Sequence, residues 1–229
     1  MTSATRWLTG IQALLPWQSC LLCGLNSNTL LCETCQADLP LLDWHTHPRN
    51  LLNWPKATKA LGKVQFDSLL TCSFYQWPMD HLLTGLKFSQ RLTNAKALAG
   101  LFYQHCLADR TELPEIIVPV PLHSTRYQQR KYNQAAEMAK YIAALSSVSL
   151  ETGICRRRLA TVAQTELSGP QRRQNLKNAF EASRPPEHKR IAIFDDIVTT
   201  GATVNSLCRT LKKANPDLSV EVWCIALSL

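Results

Sequence analysis

Apolar positions along this chain fall into two periods. In the second half, short continuous apolar runs alternate with stretches where apolar residues recur every three or four positions. The run Ile-Ile-Val-Pro-Val at 116–120 predicts a buried strand, and residues 133–145 an amphipathic helix. A second strand is predicted over 190–194, a helix over 202–214 and a third strand over 220–226. Upstream, residues 68–75 read as a strand. Leu82, Leu83 and Leu86, then Leu98, Leu101 and Phe102, recur at helical spacing. Strands that alternate with helices predict a parallel sheet flanked by helices, an α/β fold. Residues 183–187, Ser-Arg-Pro-Pro-Glu, form a turn, and residues 6–16 predict a short amphipathic helix stopped at Pro16.

Composition narrows the class. A chain of 229 residues that is 45% hydrophobic and 18% charged is neither disordered nor collagen-like nor a coiled coil. That length suits one fair-sized domain, or a domain with a small appendage. Lys and Arg outnumber Asp and Glu by 25 to 17, a net charge of +8. The excess favours anionic partners: nucleic acid, anionic lipid or small phosphorylated ligands. No window approaches the ~20 continuous apolar residues that span a bilayer, so membrane insertion is not expected. The opening stretch is interrupted by Thr9, Gly10 and Gln12, and no small-residue cleavage site precedes Cys20. A cytoplasmic protein is expected, in which thiols stay reduced.

In that setting the spacing of the nine cysteines becomes informative. Cys20-Leu-Leu-Cys23 and Cys32-Glu-Thr-Cys35 are two C-x-x-C pairs separated by eight residues. Two such knuckles supply four thiolates to a tetrahedral zinc ion, the closed geometry of a structural site. A redox C-x-x-C or a set of buried thiols is the competing reading, but a redox motif needs only one pair beside a strand–helix unit. Cys72, Cys106, Cys155, Cys208 and Cys224 are scattered singly through apolar segments and are expected to pack as small hydrophobes. The expected organisation is a zinc-knuckle module and linker at 1–55, a helical hood at 60–112 and an α/β core at 113–229.

The chemistry concentrates in residues 191–203, Ile-Ala-Ile-Phe-Asp-Asp-Ile-Val-Thr-Thr-Gly-Ala-Thr. Four apolar residues fill a strand, and Asp195 and Asp196 follow at its carboxyl end, where ligands bind in open α/β sheets. A loop with Thr199, Thr200, Gly201 and Thr203 then runs into a helix. Unpaired N–H groups and the helix dipole at such a junction favour a phosphate. The two acids suit sugar hydroxyls, with or without a hydrated magnesium ion. The plainer reading is a threonine-rich helix cap preceded by solubilising acids.

This stretch resembles the phosphoribosyl-pyrophosphate (PRPP) motif of type I phosphoribosyltransferases. Val118-Pro-Val-Pro-Leu-His123, an Arg-rich turn and Asn133-Gln134-Ala135 are similar to the ComF/GntX family of competence-associated proteins. So are Arg158-x-x-Thr161-x-x-Gln164-x-x-Leu167, Arg172-Arg173-x-Asn175-x-x-x-Ala179-Phe180 and the amino-terminal four-cysteine knuckle. One departure is Lys131-Tyr132, where that family usually has Gly-Phe.

The resemblance implies a type I phosphoribosyltransferase fold with a small zinc module, and roles by position. Asp195 and Asp196 would contact the ribose hydroxyls of PRPP, bound with Mg²⁺. Thr199, Thr200, Gly201, Ala202 and Thr203 would hold the 5′-phosphate, and Leu122, His123 and Ser124 the pyrophosphate. Residues 159–169 would close as a lid that keeps water from the sugar cation. Arg158, Arg172 and Arg173 would neutralise departing pyrophosphate. His123, a lone histidine in a loop, is not expected to act as a general base.

Three functions compete at this point: 5-phosphoribosyl transfer to a nucleophile, PRPP or nucleotide sensing without turnover, and handling of single-stranded DNA or partners of the DNA-uptake machinery. The family's association with competence and use of external DNA favours the last as a process. The dispersed basic residues and 7% aromatics weigh against it as a binding surface. No motif identifies the acceptor or the oligomeric state.

Overall fold

A computed structural model describes residues 18–89, 91–158 and 179–229. The helix expected over 6–16 lies outside them. The chain divides into two compact units, Met1–Leu39 and Pro40–Leu229.

In the small unit, strands β1 (Gln18–Ser19) and β2 (Asn26–Ser27) pair antiparallel, and helix α1 (Glu33–Ala37) follows. Gly24, at φ +76, closes the first knuckle by sending its N–H back to the Cys20 carbonyl at 3.0 Å. Among its described residues the buried ones are Cys20, Ser27, Leu31 and Leu39.

The larger unit opens with residues 40–55, which are expected to belong with the zinc-knuckle module and linker at 1–55. They instead contribute Leu42 and Leu51 to the core. Helix α2 (Pro55–Leu61) leads to β3 (Ser68–Phe74), and helices α3 (Met79–Phe88) and α4 (Leu92–Phe102) follow, in the stretch expected to form the hood. Then come β4 (Ile116–Pro119), α5 (Ser124–Arg130), α6 (Gln134–Ser146) and β5 (Ser149–Leu150). A hairpin of β6 (Cys155–Arg157) and β7 (Phe180–Ala182) precedes β8 (Arg190–Val198), α7 (Ala202–Ala214) and β9 (Ser219–Leu227).

Five strands form one sheet in the order β3-β9-β8-β4-β5, every pair parallel. Among the described residues the strands and helices predicted from periodicity are present, and the parallel sheet flanked by helices is the expected α/β architecture. Central strands are apolar on both faces because helices cover both. Ile191, Ile193, Val220 and Val222 pack with Val204, Leu207, Cys208 and Leu211 of α7. On the opposite face, Phe102 of α4 meets Phe194 and Trp223, with ring centroids 5.9 and 5.7 Å apart. The five single cysteines are all buried among these residues, as expected of small hydrophobes.

The turn between α5 and α6 explains the Lys131 departure. Lys131 stands at φ 66, in the left-handed region that favours glycine. A non-glycine residue costs about 1–2 kcal/mol there, while glycine costs about 0.5–1 in chain entropy. Lys131→Gly is thus expected to stabilise the protein by on the order of 0.5 kcal/mol. A urea midpoint that moves down instead of up would refute this assignment.

Candidate active site

The site arises from where the sheet changes direction. From β4 the chain passes through α5 and α6 outward to β5, whereas from β8 it passes through α7 to β9 on the other side. Such a switch point opens a crevice at the carboxyl ends of the two central strands. β4 pairs with β8 only as far as Pro119 with Phe194, and one further bond joins the Val120 N–H to the Phe194 carbonyl at 2.8 Å. Asn133 holds this divergence open. Its side-chain amide donates to the Val120 carbonyl at 2.9 Å, and its Oδ1 accepts the N–H groups of Ala135 and Ala136 at the start of α6.

Beyond Phe194, β8 continues alone against β9, so Asp195 and Asp196 lie in the strand and not in a following loop. Both carboxyls line the same crevice, with Asp195 beside Asp196. Asp195 Oδ1 accepts the Asp196 N–H at 2.9 Å, and Asp196 Oδ1 accepts the Ile197 N–H at 2.8 Å. Asp196 Oδ2 meets Lys87 Nζ of α3 at 2.7 Å. Burial, reinforced by the neighbouring Asp196, raises the Asp195 carboxyl to about 8.

The loop after β8 turns through Thr199 and Thr200 to Gly201, which sits at φ +67 and starts α7 with no side-chain cap. The left-handed conformation selects glycine, and a Cβ here would also lie 2.8 Å from the Leu61 methyl Cδ2. The first N–H groups of a 13-residue helix therefore face the crevice without a side-chain acceptor.

The crevice has a volume of about 410 Å³. Besides the acids and residues 197–204, Lys87, Arg126, Arg130 and Arg157 line it. Burial first, then Arg126, depresses the affinity of Arg130 and Arg157 for their protons. Three guanidinium groups crowded in a partly desolvated cavity form a site for a polyanion.

The structure brings most, but not all, of the expected residues together. Asp195, Asp196, Thr199, Thr200, Gly201, Ala202, Thr203 and Leu122 line the crevice; His123 and Ser124 do not. His123 instead caps α5, its Nδ1 accepting the Thr125 N–H at 3.2 Å. Arg158 also lies elsewhere. Alternation along β6 and into the residue after it turns Arg156 and Arg158 together onto Glu181, at 2.6 and 3.6 Å. Arg157, between them, points into the crevice and stacks on Phe180 at 5.4 Å. Arg172, Arg173 and the expected lid at 159–169 lie outside the described residues. Periodicity gave no hint of Lys87; the Arg-rich turn was a signal for Arg126 and Arg130.

In the small unit, Cys20, Cys23, Cys32 and Cys35 offer four sulfurs that all lie within 4.8 Å of one another. They are close enough to hold a metal ion, and their burial and hydrogen bonding already differ. Burial opposes ionisation of Cys20, but N–H groups of Cys23, Cys32 and Leu22 aimed at its sulfur bring it down to about 6. Cys35 is pushed up to about 12, first by Cys32 and then by desolvation and the other sulfurs.

Fold and site together define an α/β protein with a crevice at the switch point of a parallel sheet and an added four-cysteine unit. No family model matches the chain. It is 33% identical to the DNA utilization protein YhgH of Salmonella typhimurium, over 95% of this chain and 93% of that one. The Escherichia coli K12 protein of that name is also 33% identical, over 93% and 92%. Competence protein F of Haemophilus influenzae is 33% identical, over 86% and 90%. The chain belongs to the family of these proteins. Among solved structures it is similar to adenine phosphoribosyltransferase from Leishmania tarentolae (TM-score 0.37, 11% identity, 63% of this chain and 74% of that one). It is similar also to a hypoxanthine phosphoribosyltransferase from Staphylococcus aureus (TM-score 0.33, 14% identity, 58% and 62%).

Proposed function

We propose that the protein binds PRPP with magnesium in the crevice and transfers its 5-phosphoribosyl group to a nucleophile, in the service of DNA utilisation. The observation that carries this is the meeting of an acid pair, an uncapped glycine-bearing helix start and a cationic wall at one switch point. The helix start suits the 5′-phosphate, the acids suit ribose hydroxyls, and Arg126, Arg130 and Arg157 suit the pyrophosphate. In the transfer, the bond from C1′ to the pyrophosphate oxygen breaks and its electron pair leaves with pyrophosphate. A lone pair of the nucleophile forms the new bond to C1′, and the nucleophile gives up a proton. Magnesium, when bound, supplies charge neutralisation to the leaving group, and carboxylate oxygens are the donors it prefers. The names of the relatives support the DNA-utilisation role.

The four-cysteine unit fits zinc. With Zn–S bonds of about 2.3 Å, the edge of a sulfur tetrahedron is about 3.8 Å, and Cys23 Sγ stands 3.8 Å from Cys32 Sγ.

Calorimetry with PRPP and Mg²⁺ tests the crevice. The wild type is expected to bind and Asp195→Ala/Asp196→Ala to lose binding; equal binding by both, or by neither, would sink the assignment. Pyrophosphate release with nucleobases and amines as acceptors then separates transfer from sensing. Binding without consumption of PRPP by any acceptor would favour a sensor.

A further inference from the structure

Lys87 is the one crevice cation that comes from α3, and it is already engaged. Its Nζ stands 2.7 Å from Asp196 Oδ2, with the two side chains only 20% and 14% exposed. The other oxygen of Asp196 accepts the Ile197 N–H at 2.8 Å. Lys87 is also not a freely swinging surface lysine. The preceding Leu86 carbonyl accepts the Tyr132 hydroxyl. The following Phe88 ring lies under the Arg130 guanidinium at 5.6 Å. Both partners belong to the turn region between α5 and α6, so α3 is tied to the crevice on either side of Lys87.

This arrangement bears on how a divalent cation would enter. An ion on the acid pair would have to share Asp196 Oδ2 with the Lys87 ammonium, a like charge 2.7 Å from that oxygen. Driving the ammonium off returns it to a cavity lined by Arg126, Arg130 and Arg157, where like charges repel it. Displacement becomes favourable only when an anion arrives to receive it, and an ammonium is a compact partner for phosphate oxygens. We infer that Lys87 is a tethered cation occupying the divalent-cation position of the acid pair, so that the metal enters only together with a polyanionic ligand. The choice of PRPP as that ligand rests on the function proposed above; the exclusion of the bare metal does not.

The test uses the full chain with its cysteine unit zinc-loaded and no phosphate in the buffer. Mn²⁺, an oxygen-seeking paramagnetic stand-in for Mg²⁺, is titrated and followed by the loss of its free-ion resonance. Wild type is expected to bind no Mn²⁺ in the crevice at millimolar concentration. Lys87→Met, which keeps the apolar stem, is expected to gain a site at least about tenfold tighter, equivalent to about 1.4 kcal/mol. Lys87→Met/Asp196→Asn is expected to lose it again. Lys87→Gln gives the same comparison if the Met variant does not fold. Tight Mn²⁺ binding by wild type that Asp196→Asn removes would overturn the inference, as would no gain in either Lys87 variant. Should PRPP bind to no form while the Lys87 variants gain Mn²⁺, the role of Lys87 stands and the PRPP assignment falls.

Discussion

Exchange of Cys32 for serine, or metal removal by a strong chelator, is expected to unfold the small unit while leaving the five-stranded sheet folded. The unit has few means of its own to stay ordered. Its strands are two residues each, its helix five, and its buried apolar side chains among the described residues are Cys20, Leu31 and Leu39. Burial of so few side chains cannot offset the entropy of ordering the segment. Metal binding can, because four thiolates on one ion contribute about 10–16 kcal/mol in comparable zinc peptides. Cys32 is well placed to expose this dependence. It precedes α1, its N–H reaches Cys20 Sγ at 3.4 Å, and its sulfur lies beside Cys23. Native mass spectrometry should find about one zinc per wild-type chain and none in Cys32→Ser. Amide exchange should then lose protection over 18–39 and keep it over β3, β4, β8 and β9. The loading should also depend on pH in a definite sense. A sulfur such as Cys35, held up to about 12, must give up its proton to the metal, so apparent affinity falls as pH falls. Protection over 18–39 that survives the loss of zinc would refute a metal-dependent fold.

Periodicity carried most of the larger unit because its elements answer to local rules. A run such as Ile191–Phe194 has one comfortable place, the middle of a sheet covered on both faces, and the helix Ala202–Ala214 matches its predicted span. The acid pair and loop were legible for the same reason, since all their chemistry lies within nine consecutive residues. The cationic wall was not. Lys87 reaches Asp196 across 109 residues of sequence, and Arg157 shares the crevice only because β6 pairs with a strand more than twenty residues downstream. No local period reports such meetings. Residues 40–55 were misassigned for a related reason. Their loop-like composition of Trp, His, Pro and Asn hides Leu42 and Leu51, which only the tertiary fold buries.

Arg157→Gln is expected to weaken PRPP binding about 10–100-fold, the worth of one charge-assisted contact to a buried phosphate, whereas Arg158→Gln should change it less than about threefold. The difference follows from alternation along a single short strand and into the residue after it. Arg158, with Arg156, faces Glu181 at the surface, and its side chain is 62% exposed. An ion pair so open to water contributes little, and it faces away from the crevice. Arg157 is turned the other way. The Phe180 ring supports its guanidinium, and Asp195 favours its charge while Arg126 opposes it. A ligand that brings phosphate oxygens to this wall relieves the repulsion among Arg126, Arg130 and Arg157, so removing one of the three loses more than a single surface charge would. Glutamine keeps part of the aliphatic stem and a planar polar end near Phe180, and an unchanged melting temperature would confirm that binding, not folding, was altered. Equal losses from both substitutions would mean a diffuse electrostatic pull from the net charge of +8. A loss from Arg158→Gln alone would return the anion to the hairpin's other face, where Arg158, Arg209 and Lys213 gather.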